Sequence, residues 1–202
     1  QSGLFMFRNS CPPVRGVHLF RDKGRCFAFN QSIAGFLAAN RSIRNVLMVS
    51  TWRQAIEARL STSPDIKLGV KESVSLFEEK FADTLRYQND LGIKVYIWEP
   101  LPGARRNVPV ALARAALENQ STDIEITKIE YFATYGFFFD VLKKNRDLVT
   151  LSFSPSKALC GSGRCAVSIG DNPVYFDSSH IAKSSTDFWV DMMRRAELKS
   201  EK

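Results

Sequence analysis

Long apolar runs are missing from this chain. No stretch approaches the roughly 20 apolar residues that a membrane-spanning helix needs, so none is expected among these residues. The opening residues lack the basic, apolar and small-residue order of a secretory leader. Histidine is scarce: His18 and His180 are the only two. Zinc ligands usually come in matched pairs roughly two to four residues apart, a pattern these histidines and the cysteines do not follow, so no metal site is expected. No nucleic-acid motif is visible either. The basic residues (Arg41, Arg44, Arg53 and Arg59; Arg105 and Arg106; Lys143, Lys144 and Arg146; Arg194 and Arg195) are scattered and not interleaved with aromatics, so no nucleic-acid partner is expected. Low-complexity sequence, internal repeats and a linker that would split the chain are absent too.

What is present is the composition of an ordinary globular chain. With 45% hydrophobic and 24% charged residues in a length of 202, one sizeable core fits, and a single domain over residues 1–202 is the expectation. The net charge of +7 reads as solvated surface before it reads as a site for an anionic glycan or membrane.

The four cysteines fall in two local pairs, Cys11 with Cys26 and Cys160 with Cys165, each bracketing turn-rich sequence: Pro12-Pro13 and Gly16, then Gly161-Ser162-Gly163. Two disulfides are the natural reading, against a zinc site or reduced core thiols, and they imply an oxidising compartment.

Short apolar runs alternate with longer helical patterns, which is how a parallel α/β sheet reads. Strands are expected at 4–7, 46–49, 95–98, 148–151 and 174–176. The first of these reads as the start of a buried strand and not as a natural terminus, so further chain is expected upstream of Gln1. Helices are expected around Phe27, Ile33, Phe36 and Leu37, ending near Asn40, and along Val74, Phe77, Phe81 and Leu85, ending at Leu91-Gly92. Residues 111–117 and 129–142 also read as helical, the latter with an aromatic cluster assigned to core. A last helix runs through Phe188, Met192 and Met193. Pro100-Leu101-Pro102-Gly103 is a loop at a strand's carboxyl end, where open α/β sheets place their ligands.

Asp177 and His180 are the candidate acid and base, although their spacing by itself reads equally as a helix cap beside a surface histidine. Three residues apart at a strand end, they can stand on one side of a turn, the carboxylate holding the imidazole Nδ1 proton and leaving Nε2 to deprotonate a hydroxyl nucleophile. Ser179 is expected to cap the helix that follows. His18, beside Arg15 and Arg21, reads as a surface residue.

Several blocks taken together carry a family resemblance. Cys160-Gly-Ser-Gly-Arg-Cys165, Gly170, and Pro173-Val-Tyr-Phe-Asp177-Ser-Ser-His180 resemble the carboxyl-terminal block of the SGNH/GDSL hydrolase superfamily. Asn9-Ser-Cys-Pro-Pro13, Cys26-Phe-Ala-Phe-Asn30, the strand leading to Trp52, and residues 95–98 with Pro100 and Pro102 follow in the same order. More narrowly, the chain resembles the SGNH domain fused to membrane acyltransferases of family 3, bacterial enzymes that acetylate lipopolysaccharide and other surface glycans.

The resemblance implies a three-layer α/β/α flavodoxin-like fold with a mostly parallel sheet. It also implies a Ser-His-Asp triad formed with Asp177 and His180, and O-acylation, in the form of acetylation, of a cell-surface glycan such as lipopolysaccharide O-antigen. No cofactor is implied for this domain itself. The acyl donor, acetyl-CoA on the cytoplasmic side, would serve an amino-terminal multi-pass membrane domain of the same protein, with this domain periplasmic. The family's Gly-Asp-Ser nucleophile block is not in this sequence, so its first strand and serine are expected upstream. Ser2, Ser10 and Ser50 lack its context, and Gly170-Asp171-Asn172 reads as a turn. Where the family has a Gly-x-Asn-Asp block, this chain has Ser50-Thr51-Trp52. That leaves Asn30 and Trp52 as the candidates for oxyanion or substrate contacts. A secreted carbohydrate deacetylase and an inactive glycan-binding relative are the rival readings.

Overall fold

The computed structural model describes residues 3–119, 121, 123–161 and 163–200. Gln1, Ser2 and Ser162, named above, lie outside the described residues. In chain order the elements are β1 (His18–Leu19), α1 (Arg25–Ala39), β2 (Asn45–Val49), β3 (Leu60–Ser61), α2 (Val70–Asp90), β4 (Lys94–Trp98) and α3 (Val108–Glu118). Then come α4 (Lys128–Lys144), β5 (Leu151–Phe153), α5 (Pro155–Leu159), β6 (Ser168–Ile169), β7 (Asn172–Pro173) and α6 (Thr186–Ser200). The fold is α/β: β2, β4 and β5 form a parallel three-stranded sheet in that order, flanked by helices. β2 and β4 run in register from Asn45 opposite Lys94 to Val49 opposite Trp98.

The chain divides into two compact units, Gln1–Trp98 with Phe137–Ser152, and Glu99–Gly136 with Phe153–Lys202. The first holds the main hydrophobic core. On α2, Phe77, Phe81 and Leu85 recur every four residues and so share one face, which buries against Met48, Val95, Ile97 and Phe138. Each such side chain contributes roughly 1.5–3 kcal/mol when fully removed from water. Gly92, at φ +74°, ends this helix in the left-handed conformation that glycine adopts at no steric cost. The antiparallel β1–β3 ladder pairs His18 with Ser61.

In the second unit, Asn107 caps α3 by accepting a hydrogen bond from the Val110 amide at 3.1 Å. α4 opens with a reciprocal box. The Thr127 amide donates to the Glu130 carboxylate at 2.6 Å, and the Glu130 amide donates to the Thr127 hydroxyl at 3.1 Å. β6 and β7 form a hairpin across Gly170 (φ +57°), the turn expected at Gly170-Asp171-Asn172. Tyr131, Val174, Tyr175 and Trp189 are buried there.

The structure differs from the sequence reading in five places. Residues 4–7 are not a strand: Leu4, Phe5, Met6 and Phe7 are exposed, Phe5 by 81%, and the Phe5 and Phe7 rings stack on each other at 5.3 Å. Apolar composition alone does not make a strand without a ladder partner, and none pairs with this run among the described residues. The strand expected at 148–151 begins three residues later, because Arg146–Leu148 closes a 3₁₀ turn in which the Leu148 amide donates to the Asn145 carbonyl at 3.0 Å. Residues 174–176 make only a single antiparallel bridge, Tyr175 with Ile181. Ser179 caps no helix, since α6 starts at Thr186. His18 is half-buried, its ring flat against Phe27 at 4.3 Å.

Both disulfides are formed, Cys11–Cys26 and Cys160–Cys165, and no cysteine is free among the described residues. Thiol titration of the unfolded, unreduced protein should therefore find no reactive cysteine. The Cys11→Ala/Cys26→Ala double variant should lose about 2–3 kcal/mol of stability in urea unfolding, as expected for a closed loop of this size.

Candidate active site

Asp177 and His180 meet in a tight turn of the second unit. Asp177 Oδ1 accepts hydrogen bonds from the Ser179 amide at 2.7 Å and the His180 amide at 2.8 Å, an Asx turn that folds the chain back on its own carboxylate. The other oxygen, Oδ2, accepts from His180 Nδ1 at 2.7 Å. A carboxylate can only accept, so this contact sets the Nδ1–H tautomer and leaves the Nε2 lone pair as the ring's basic atom. Nε2 makes no hydrogen bond within the described residues, and the imidazole side chain is 67% exposed.

Burial of the Asp177 carboxyl works to raise its pKa. The His180 amide, the Ser179 amide and the His180 ring, all donating to the charged form, outweigh that and hold it at about 2. Asp177 is thus an anion throughout the neutral range, as the orienting partner of a basic imidazole must be.

The turn is gripped from outside by the segment between β4 and α3. The Ala104 amide donates to the Ser178 carbonyl at 2.8 Å, and the Val108 amide donates to the Asp177 carbonyl at 3.0 Å. The Gly103 amide donates to the hydroxyl of buried Tyr175 at 3.1 Å. Burial pushes the Tyr175 phenol well above its usual pKa, so it stays neutral. Gly103 sits at φ +75°, and a Cβ there would stand 3.1 Å from the Ser178 carbonyl oxygen. Two independent constraints, backbone sign and close approach, therefore ask for glycine.

The gripping segment is itself anchored. The Arg105 amide donates to the Ile124 carbonyl, and Ala104 bridges Glu125. The Arg105 guanidinium pairs with Asp123 and with both Glu130 oxygens. Arg164, inside the Cys160–Cys165 loop, pairs with the same Asp123 at 2.7 Å, and the Cys165 amide donates to the Ile126 carbonyl.

Asn30 and Trp52 do not offer the oxyanion or substrate contacts expected of them. Asn30 lies inside α1, and both hydrogens of its amide nitrogen are used, on the Pro12 carbonyl at 2.9 Å and the Val14 carbonyl at 2.8 Å. Trp52 is 1% exposed, packed against Phe77, Phe81 and Phe138, with Nε1 donating to the Trp98 carbonyl at 2.9 Å. Both are core residues with their donors spent. No group of side chains suited to a metal ion occurs among the described residues. The sequence reading passed over Phe176, whose ring stacks on His180 at 5.4 Å, and over Tyr175 as the anchor of Gly103. It also passed over the Thr127-x-x-Glu130 box, although that spacing is a visible helix-start signal.

Two outcomes follow. The Asp177 carboxyl is lower in the folded protein than the roughly 3.9 of an unfolded chain, so its stabilisation is complete above about pH 4 and lost as pH falls towards about 2. Urea midpoints at about pH 5 and about pH 2.5 should show a smaller acid loss in Asp177→Asn than in the parent. Gly103→Ala should destabilise by roughly 1–3 kcal/mol, read from the same melts.

Comparison with known proteins bears on the fold and the family. No curated protein matches the chain. Among solved structures, the periplasmic domain of a lipopolysaccharide acetyltransferase from Salmonella ser. Paratyphi A aligns with a TM-score of 0.65 at 16% identity, over 94% of this chain and 69% of that one. At that identity the likeness is one of fold. The sequence itself matches the family described as the SGNH domain (fused to AT3 domains) over residues 1–195, nearly its whole length. The chain belongs to the SGNH domain family whose members are fused to AT3 domains.

Proposed function

We propose that this domain transfers an acyl group, acetyl in the simplest case, to a hydroxyl of a bacterial cell-surface glycan. The observation that carries the reading is the 2.7 Å contact between Asp177 Oδ2 and His180 Nδ1, made by an ionised carboxylate to an imidazole exposed on its other side. The nucleophile is a serine supplied from upstream of Gln1. The acyl donor is delivered by an amino-terminal membrane domain of the AT3 class, and the domain works in the periplasm. The family's fusion to AT3 domains and the two disulfides, which need an oxidising compartment, support that placement.

The chemistry is a two-step exchange. His180 Nε2 takes the proton of the serine Oγ as that oxygen attacks the acyl carbonyl, then returns the proton to the departing donor group, leaving an acyl-serine. In the second half a glycan hydroxyl gives its proton to Nε2 and attacks the acyl-serine. The serine oxygen leaves with the proton that His180 hands back. Asp177 stays ionised throughout, holding the ring and offsetting the charge that His180 carries between transfers. No residue is assigned to the oxyanion.

The test uses the full polypeptide in cells, with glycan O-acetylation as the readout. Asp177→Asn and His180→Ala should each reduce it by roughly a thousandfold or more. Unchanged acetylation in both variants would overturn the assignment. Acetate released to water, in place of acetyl found on glycan, would make the domain a deacetylase.

A further inference from the structure

One hydrogen bond does not hold a ring. The contact from His180 Nδ1 to Asp177 fixes one atom of the imidazole, and the plane can still turn about that bond. With 67% of the side chain exposed, the surrounding protein restrains it little. The direction of the Nε2 lone pair depends on that plane, and a proton is transferred well only when donor and acceptor are aligned.

Phe176 supplies the missing restraint. Its ring lies against the imidazole with centroids 5.4 Å apart and planes within 26°, an offset stack. The backbone enforces the pairing, since the Phe176 amide donates to the His180 carbonyl at 2.9 Å and Tyr175 bridges Ile181, so residues 176 and 180 face each other across the turn. Alternation along the extended chain decides which aromatic goes where. Tyr175 points inward and is buried, so Phe176 must point outward, where it remains 59% exposed. A phenyl ring that exposed adds little to a core, and His180 is its only ring partner among the described residues.

We propose that Phe176 is a positioning residue for His180, its ring face holding the imidazole plane and favouring the cationic ring formed between the two proton transfers. This rests on the acyl-transfer reading above. The negative face of a phenyl ring attracts a neighbouring cation, so the stack is stronger with the protonated imidazole than with the neutral one, and the gain falls on the step that forms it. The charged group facing the imidazole in this turn is Asp177, and Phe176 flanks the ring beside it.

The experiment compares Phe176→Ala, Phe176→Leu and Phe176→Tyr in the full polypeptide by steady-state acyl transfer. Alanine and leucine should lower kcat about threefold to tenfold with the acceptor KM within about twofold, and tyrosine should restore kcat. In parallel, NMR of the domain should show the His180 ring protons shifted upfield by the stack in the parent and in Phe176→Tyr, but not in Phe176→Ala. The Trp189 indole proton, donated to the Ser185 hydroxyl at 3.0 Å in the same unit as Phe176, reports in the same spectra that the fold there is intact. The inference falls if kcat is unchanged in Phe176→Ala, if leucine restores kcat as well as tyrosine does, or if KM alone rises. The spectra judge the stack without any turnover. An active His180→Ala variant would therefore remove the acyl-transfer reading, whereas an unshifted His180 ring would remove only this one.

Discussion

The carbonyls of Asp177 and Ser178 each accept a hydrogen bond from the segment that leads out of β4 towards α3, and the functional reading depends on that grip. A carboxylate can orient an imidazole only if its own backbone does not wander, and here the carbonyls of Asp177 and of the residue after it are tied down by the amides of Val108 and Ala104. The restraint continues outward through Arg105 and Ile124 to Asp123, Arg164 and the Cys160–Cys165 loop. The exposed ion pairs in that relay contribute little individually. The backbone bridges and the disulfide give it stiffness, because they remove conformational freedom from a region with few long elements of its own.

Trp52 shows the opposite use of a polar atom near a strand end. It follows β2 with φ +58°, a conformation that costs a bulky residue free energy, and the structure holds it there by burying the indole among Phe77, Phe81 and Phe138 with its nitrogen satisfied. Asn30 is used in the same way, tying the Cys11–Val14 loop to α1 through two carbonyls. In each case a residue type common in binding sites is consumed by the core. A side chain with no donor left cannot also receive an oxyanion.

Legibility in the sequence followed the range of the interactions involved. The helices were visible because a repeat near four residues, as at Phe77, Phe81 and Leu85, reports a buried face whatever the partner is. Strands β2 and β4 were visible for a similar reason, being short apolar runs with a turn after each. The run at residues 4–7 looked the same and is not a strand, because a strand exists only with a neighbour to bond, and no local pattern reports the neighbour. Residues 174–176 failed for the same reason, reduced to one bridge. In the site, spacing let Asp177 and His180 meet across one turn, but it was the family-like blocks around them that singled the pair out. Tyr175, Gly103 and Phe176 could not, because what makes them matter is a contact with a distant segment or a choice of which way a side chain points.

The main helices, strands β2 and β4, the two cysteine pairings and the closeness of Asp177 to His180 belong to the sequence by itself, since each rests on residues close enough in the chain that local geometry leaves few alternatives. Only the tertiary structure decided that Asn30 and Trp52 serve the core, that residues 103–108 hold the Asp177 turn, and that an exposed phenyl ring lies on the imidazole. Those outcomes depend on which segments far apart in the chain come to share hydrogen bonds and apolar surface, and the free energy of that sharing is written in no single stretch of residues.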